Sequence, residues 1–311
     1  MNLPFALYKI EEILSKGRYN YRDLFKEGEP IMVNLNSILS TVIPEKVELN
    51  YCFDDTDTEA YAETIDFFTG VLDAMTVFLE KMVKGNHRVI FLYCSDWDNL
   101  EELKYVKTED PDFKWYPQLT DRDKNSKGFH VFNTLLHNTK VLCDKYDNSK
   151  VKFVDIGNLS PFMIASQVMV STIYLSRDPI DMIALSNGNI TIYKHGIHHD
   201  AATDLVSMAN EIQITPALLP LYLYVTGLKK RNWKGIPGVG PNRFRRLIIQ
   251  HLPDIMNNDY NWVNVLMKST YDKPKFHGKY TDVDIRLFDS RQIGGLIGVE
   301  RMKSIMVDLL K

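Results

Sequence analysis

Short apolar blocks, most of them four to six residues long and rich in β-branched and aromatic side chains, recur along the first two thirds of this chain. Residues 88–93 (Arg88-Val89-Ile90-Phe91-Leu92-Tyr93) and 151–156 (Val151-Lys152-Phe153-Val154-Asp155-Ile156) have the pattern of buried strands. Residues 29–39 (Glu29 to Leu39) read as a similar, longer buried block, the first strand, ending in a polar turn, and residues 171–176 and 189–193 add two more. Between the blocks the period changes. Ile65, Phe68, Leu72, Met75, Phe78 and Leu79 fall at three-to-four spacing and predict a core helix over 60–83. A second helix is predicted over 129–138, and a peripheral one over 7–15. Residues 97–128 are polar and poorly periodic, the pattern of an inserted or mobile segment. Strands alternating with helices predict an α/β fold, with a mainly parallel central sheet of about five strands and helices on both faces.

After Thr215-Pro216 the strand signal disappears. An apolar helix is predicted over 217–226, a second over 243–251, and packing helices over 255–268 and 294–310, with a polar, lysine-containing loop at 271–279. The expected division is an α/β domain over 1–215 and a helical module over 216–311.

Charge sharpens that division. The net charge of −3 is the sum of about +8 on residues 216–311, with 16 Lys and Arg against 8 Asp and Glu, and about −11 on the rest. A uniformly basic nucleic-acid binder is excluded, whereas a basic module on an acidic body is not. No run of about 18 apolar residues suggests a membrane span, and the start Met1-Asn2-Leu3-Pro4-Phe5 has no basic region ahead of an apolar one, so a cytoplasmic location is expected. Cys52, Cys94 and Cys143 lack metal-ligand spacing and are read as buried, reduced thiols. His195, His198 and His199 are read as an exposed loop rather than a zinc site. The run Asp54-Asp55-Thr56-Asp57-Thr58-Glu59 is read as a solvated loop capping the helix that follows.

The most informative stretch lies inside the basic module. Gly235-Ile236-Pro237-Gly238-Val239-Gly240-Pro241 is a tight hairpin between two helical runs, preceded by Lys229, Lys230, Arg231 and Lys234 and followed by Asn242, Arg243, Arg245 and Arg246. Glycines 238 and 240 let the backbone approach a ligand, and Pro241 suits a first helical turn. The N–H groups that open such a helix favour a phosphate.

This hairpin resembles the helix–hairpin–helix element of the 5′-nuclease (flap endonuclease) family, which grips the backbone of duplex DNA. The resemblance covers about residues 30–250 and implies a PIN-like domain carrying a two-metal carboxylate site. In active members the loop opens as Gly-Asp-x-x-Asp-Asn, whereas this chain has Gly227-Leu228-Lys229-Lys230-Arg231-Asn232, with Leu228 and Arg231 at the acidic places. Asn34 stands where the family's first strand ends in a metal-binding aspartate. Leu159, Pro161 and Phe162 stand where a Glu-Ala-Asp-Asp run begins a helix. Asp96 or Asp98 matches the acid after the second strand. Asp181 matches the second aspartate of a Ser-x-Asp-x-Asp motif, with Asp178 one residue out of step. This Asp178/Asp181 pair is read either as metal-binding or as helix-capping. The family's arch has a Tyr-Lys-x-x-Arg patch, but Tyr116 to Arg122 lacks the lysine, and Glu109, Asp110 and Asp112 lie nearby.

Two-metal hydrolysis needs clustered carboxylates. The expectation is therefore a catalytically inactive 5′-nuclease-like protein that binds duplex or branched DNA without sequence preference and needs no cofactor. Its contacts would be Lys229, Lys230, Arg231, Lys234, Gly235, Gly238, Val239, Gly240, Asn242, Arg243, Arg245 and Arg246. It would also suit a subunit of a replication or transcription complex, and the family's spread suggests a phage or viral source and a host cytoplasm. One alternative is a divergent Mg- or Mn-dependent 5′ nuclease using Asp96, Asp98, Asp155, Asp178 and Asp181, provided that these converge. The other is a protein–protein scaffold, which an exposed apolar patch at Pro161-Phe162-Met163 would indicate.

Overall fold

The computed structural model describes residues 27–42, 58–108, 110–113, 115, 127–176, 178–194, 216–228, 232–273 and 281–310. At its centre is a five-stranded sheet made of β1 (Ile31–Asn34), β2 (Val89–Tyr93), β4 (Val151–Asp155), β5 (Thr172–Ser176) and β6 (Ile190–Lys194). The order is β4-β2-β1-β5-β6, and every neighbouring pair is parallel. The chain winds outward from β1 in both directions. The crevice at the carboxyl ends of β1, β2 and β5 is therefore the topological switch point, where open α/β sheets place their sites.

The alternation of side chains along each strand builds two cores. Ile31, Val33, Val89, Phe91, Ile173 and Leu175 face one side. They pack there with α1 (Leu35–Val42), α2 (Thr58–Lys84) and α3 (Lys127–Cys143), through Leu39, Phe67, Val71, Met75, Leu79, Val131 and Leu135. Met32, Ile90, Leu92 and Tyr174 face the other side. That face is covered by the short helix α4 (Pro161–Ala165), by a 3-10 helix over Pro179–Ser186 and by the C-terminal helices. One continuous apolar cluster runs from these strands to Phe244 and Ile293, so the basic module rests on the sheet through shared core.

The C-terminal helices are α5 (Leu219–Thr226), α6 (Pro241–Gln250), α7 (Leu252–Met256), α8 (Asn261–Tyr271), α9 (Ser290–Ile297) and α10 (Val299–Leu310). The helix expected over 255–268 is two helices, broken near Asn258 at φ 60°, and that expected over 294–310 is broken at Gly298, φ 89°. The strand expected over 29–39 runs only from Ile31 to Asn34, and Leu35 begins α1 where the rest of that strand and its polar turn were expected. The core stripe of α2 also differs from the predicted one. Phe68, Met75 and Leu79 are buried as expected and Leu72 and Phe78 are half-buried, but Ile65 is 46% exposed, and Thr64, Phe67 and Val71 widen the buried face toward a neighbouring stripe.

Two features had no sequence signal. Residues 97–105 form two 3-10 turns, Trp97–Asn99 and Glu101–Tyr105, instead of an open loop. They lead into an antiparallel ribbon that pairs β3 (Val106–Thr108) with β7 (Thr281–Val283). Cys94 and Cys143 are free and buried, and Cys52 lies outside the described residues. So do the acidic run at 54–57, the histidines at 195–199, the helix expected over 7–15 and the stretch from Tyr116 to Arg122. Among the described residues, no helix is long and apolar enough to cross a membrane.

Candidate functional site: the hairpin and the strand-end cleft

The hairpin begins where α5 ends. Gly227 has φ 76°, and its N–H donates to Leu223 O at 2.8 Å. The chain then doubles back. Leu228 and Trp233 exchange backbone hydrogen bonds of 2.8 and 3.1 Å, and Ile236 N–H donates to Val225 O at 2.6 Å. The two crossing strands touch so closely that a Cβ on Gly235 would lie 2.3 Å from the Thr226 carbonyl carbon. Only glycine fits there. The Gly235 carbonyl accepts a hydrogen bond from the Tyr271 hydroxyl, which pins the turn to α8.

Beyond this crossing the loop turns toward solvent. Ile236 and Val239 are buried, and Val239 N–H is spent on Ile236 O at 3.1 Å, so Gly235 and Val239 shape the hairpin from within and offer no side chain to a ligand. Gly238 has φ 79°, which favours glycine. Gly240 precedes Pro241 at the start of α6, and a Cβ on it would meet nothing within 4 Å. Phe244 anchors α6 edge-on against Tyr222, ring centroids 5.1 Å apart, and leaves Asn242, Arg243 and Arg246 exposed. Arg245 is half-buried and donates to the Asn242 side chain. The opening N–H groups of α6 and two exposed guanidiniums thus share one end of the helix, an arrangement suited to an anionic backbone. Lys234 is exposed, while Lys229, Lys230 and Arg231 lie outside the described residues.

The strand-end cleft is built differently. Asn34, fully buried at the end of β1, donates from Nδ2 to Asp181 Oδ2 at 2.6 Å and accepts Ser37 N–H at 3.0 Å. Ser176 at the end of β5 donates to the same Asp181 oxygen. Asn36 clamps Cys94 by two backbone hydrogen bonds, both 2.9 Å. Tyr174 is buried beside Asp181, and burial together with that carboxylate holds its hydroxyl well above the usual tyrosine range. Asp178 accepts Ile180 N–H at 3.0 Å and caps the 3-10 helix that carries Asp181. The pair is therefore divided, one acid capping and one held by neutral donors.

Leu159, Pro161 and Phe162 fill the place of the expected acids, and all three are buried. Phe162 packs edge-on against Trp115 at 6.5 Å, and Trp115 in turn contacts Trp233 at 6.1 Å and Phe288 at 6.4 Å. Phe162 thus fills its own cleft, and no apolar patch at 161–163 faces outward. Pro161 opens α4 as expected, but Ser160 makes no side-chain cap, and its hydroxyl is buried. Asp96, Asp98 and Asp155 lie on the surface, where Asp96 accepts from Asn99 and Asp155 from Gly157 N–H. From α10, Arg301 reaches the cleft mouth, donating to Asn158 and lying 3.8 Å from Glu101.

Sequence reasoning missed Glu102. Its side chain is wholly buried and accepts Trp115 Nε1–H at 3.3 Å, and its other oxygen has no hydrogen-bond partner. Burial, with a contribution from Asp181, pushes its carboxyl up to about 8. Nothing in the polar stretch 97–128 marks this one acid as internal.

Three solved structures share this architecture over 91% of the chain. One is a pseudo-enzyme–product complex of the bacteriophage T5 flap endonuclease with DNA and metal ions, at 10% identity, TM-score 0.52 and full coverage of that chain. The others are the T5 protein co-crystallised with metal ions (12% identity, TM-score 0.51) and a T5 5′-exonuclease mutant (11%, TM-score 0.50), each with 98% of its own chain covered. The fold is that of a 5′-nuclease. No family model and no curated protein sequence matches the chain, so the likeness is one of fold.

The 5′-nuclease fold implies metal ions at the strand ends, and the donor set here does not fit them. Asn34, Leu159, Pro161 and Phe162, the positions that the resemblance matches to ligands, carry amide, aliphatic and aromatic side chains. Among the described residues, no three His, Cys, Asp or Glu side chains are grouped to hold an ion. The five candidates Asp96, Asp98, Asp155, Asp178 and Asp181 are not brought together: three are at the surface and two are committed to internal hydrogen bonds.

Proposed function

We propose that this protein binds the backbone of duplex or branched DNA through its hairpin, without sequence preference, and does not cut it by two-metal chemistry. One observation carries the reading: Gly240, which neither its φ nor its packing requires to be glycine, sits at the head of a helix whose first six residues expose Asn242, Arg243 and Arg246. A position free of internal demands, beside cations and helix-opening N–H groups, suits close approach by a phosphate. The side chains at the strand ends support the second half of the reading: Asn34 is an amide, Leu159 and Phe162 are buried hydrocarbon, and Asp178 and Asp181 are committed to internal hydrogen bonds.

The test is a paired binding and cleavage assay on a labelled 5′-flap duplex, with Mg²⁺ or Mn²⁺ and then EDTA, at two salt concentrations. Binding is expected to be salt-sensitive and indifferent to EDTA, with no cleavage. The double variant Arg243→Ala, Arg246→Ala should bind at least about tenfold more weakly, and its salt slope should be shallower by about two. Cleavage that appears with metal and disappears with EDTA overturns the inactive reading, and the absence of binding overturns the hairpin reading.

A further inference from the structure

We propose that Asp110 takes a phosphate's place on the basic loop, so that DNA must compete with the protein's own carboxylate. This rests on the hairpin reading above and adds a regulator to it. The carboxylate is delivered by a rigid support. The β3–β7 ribbon is closed by a 3.0 Å contact between Thr108 Oγ1 and Thr281 Oγ1, and Thr108 Oγ1 then accepts Asp110 N–H at 3.1 Å. Asp110 Oδ1 accepts Asp112 N–H at 3.0 Å, and Phe113 N–H closes back on Asp110 O at 3.1 Å. The turn is thus fixed, and its one remaining carboxylate oxygen points at the hairpin loop. Asp110 Oδ2 accepts Asn232 Nδ2–H at 2.6 Å and lies 3.5 Å from Lys234 Nζ.

Asn232 is the residue at which this loop turns, at φ 54°, immediately after Lys229, Lys230 and Arg231 in the sequence. A carboxylate bound to an amide donor and beside an ammonium reproduces what a phosphodiester oxygen seeks from the same surface. It also places a fixed negative charge against any strand that approaches along this edge, which makes Asp110 a boundary of the DNA track as well as a competitor.

A purely structural pin would share this geometry but respond differently to substitution. The measurement is anisotropy of a labelled duplex with wild type, Asp110→Asn and Asp110→Ala at three salt concentrations, with thermal melts to confirm folding. Under competition both variants bind tighter, by about threefold to tenfold, with a salt slope steeper by about one, because one more protein cation becomes available to phosphate. Lys234→Gln should then cost more affinity in the Asp110→Asn background than in wild type. If Asp110→Ala weakens binding while Asp110→Asn matches wild type, Asp110 is a pin and the proposal fails, although the hairpin reading stands. If none of the proteins binds, both fail together.

Discussion

The hairpin and the strand-end cleft lie in one molecule on one fold, yet they are built from different things. The hairpin holds its shape through the backbone: Gly227 and Gly235 cross at contact distance, Gly238 turns, and Pro241 opens a helix. A site made of main-chain N–H groups survives wide change in the surrounding side chains. The cleft depends on side-chain identity. Asn34, Leu159 and Phe162 place an amide and hydrocarbon at the strand ends, and the aromatic cluster of Trp115, Phe162, Trp233 and Phe288 packs beside them as core. Backbone sites and carboxylate sites on the same scaffold are therefore separable.

The strongest way to break this comparison is to return an acid to the cleft. Phe162→Asp puts a carboxylate at a fully buried position and should cost about 4 kcal/mol or more in urea unfolding, with no recovery on adding Mg²⁺. Recovery by Mg²⁺ would mean that the cleft is still a metal site.

Glu102 gives a smaller effect that is specific to pH. Its carboxyl moves from 4.5 in the unfolded chain to about 8 in the folded one, so between these values the folded state holds a proton that the unfolded state has released. This group's contribution is fully present below pH 4.5 and is lost as pH rises toward 8, at about 1.4 kcal/mol per pH unit. Glu102→Gln should remove that slope and gain on wild type steadily from pH 5 to 8. Parallel stability curves for the two proteins would show that Glu102 is not the buried acid described here.

The smallest expected change in stability comes from the hairpin side. Gly240→Ala adds a methyl group in open space, so unfolding should shift by less than about 1 kcal/mol. DNA affinity should nevertheless fall several-fold, because the methyl group lies where a phosphate would approach. Unchanged affinity would move the contact away from Gly240.

The sheet was legible because each strand is a compact apolar block and the intervening helices are periodic. The hairpin was legible because glycine and proline carry backbone meaning by themselves. What stayed hidden depends on contacts distant in sequence. The Asn34–Asp181 hydrogen bond joins residues 147 apart, and that between Asn232 and Asp110 joins residues 122 apart. The burial of Glu102 arises only when Trp115, Ser160 and Asp181, remote in sequence, come beside it. The three residues of β3 are too few to show a pattern until β7 lies beside them.

The ribbon also affects how the chain reaches its native state. Its two strands are 173 residues apart at the Thr108–Thr281 contact, so more than half of the 311-residue chain lies inside the loop they close. The entropy lost on closure grows only logarithmically with loop length, but contacts this remote slow the search for the native topology. A nascent chain that has not yet emitted Thr281 carries Val106–Thr108 as an unpaired edge, open to pairing with another molecule. Synthesis of Thr281–Val283 is thus what closes the exposed edge.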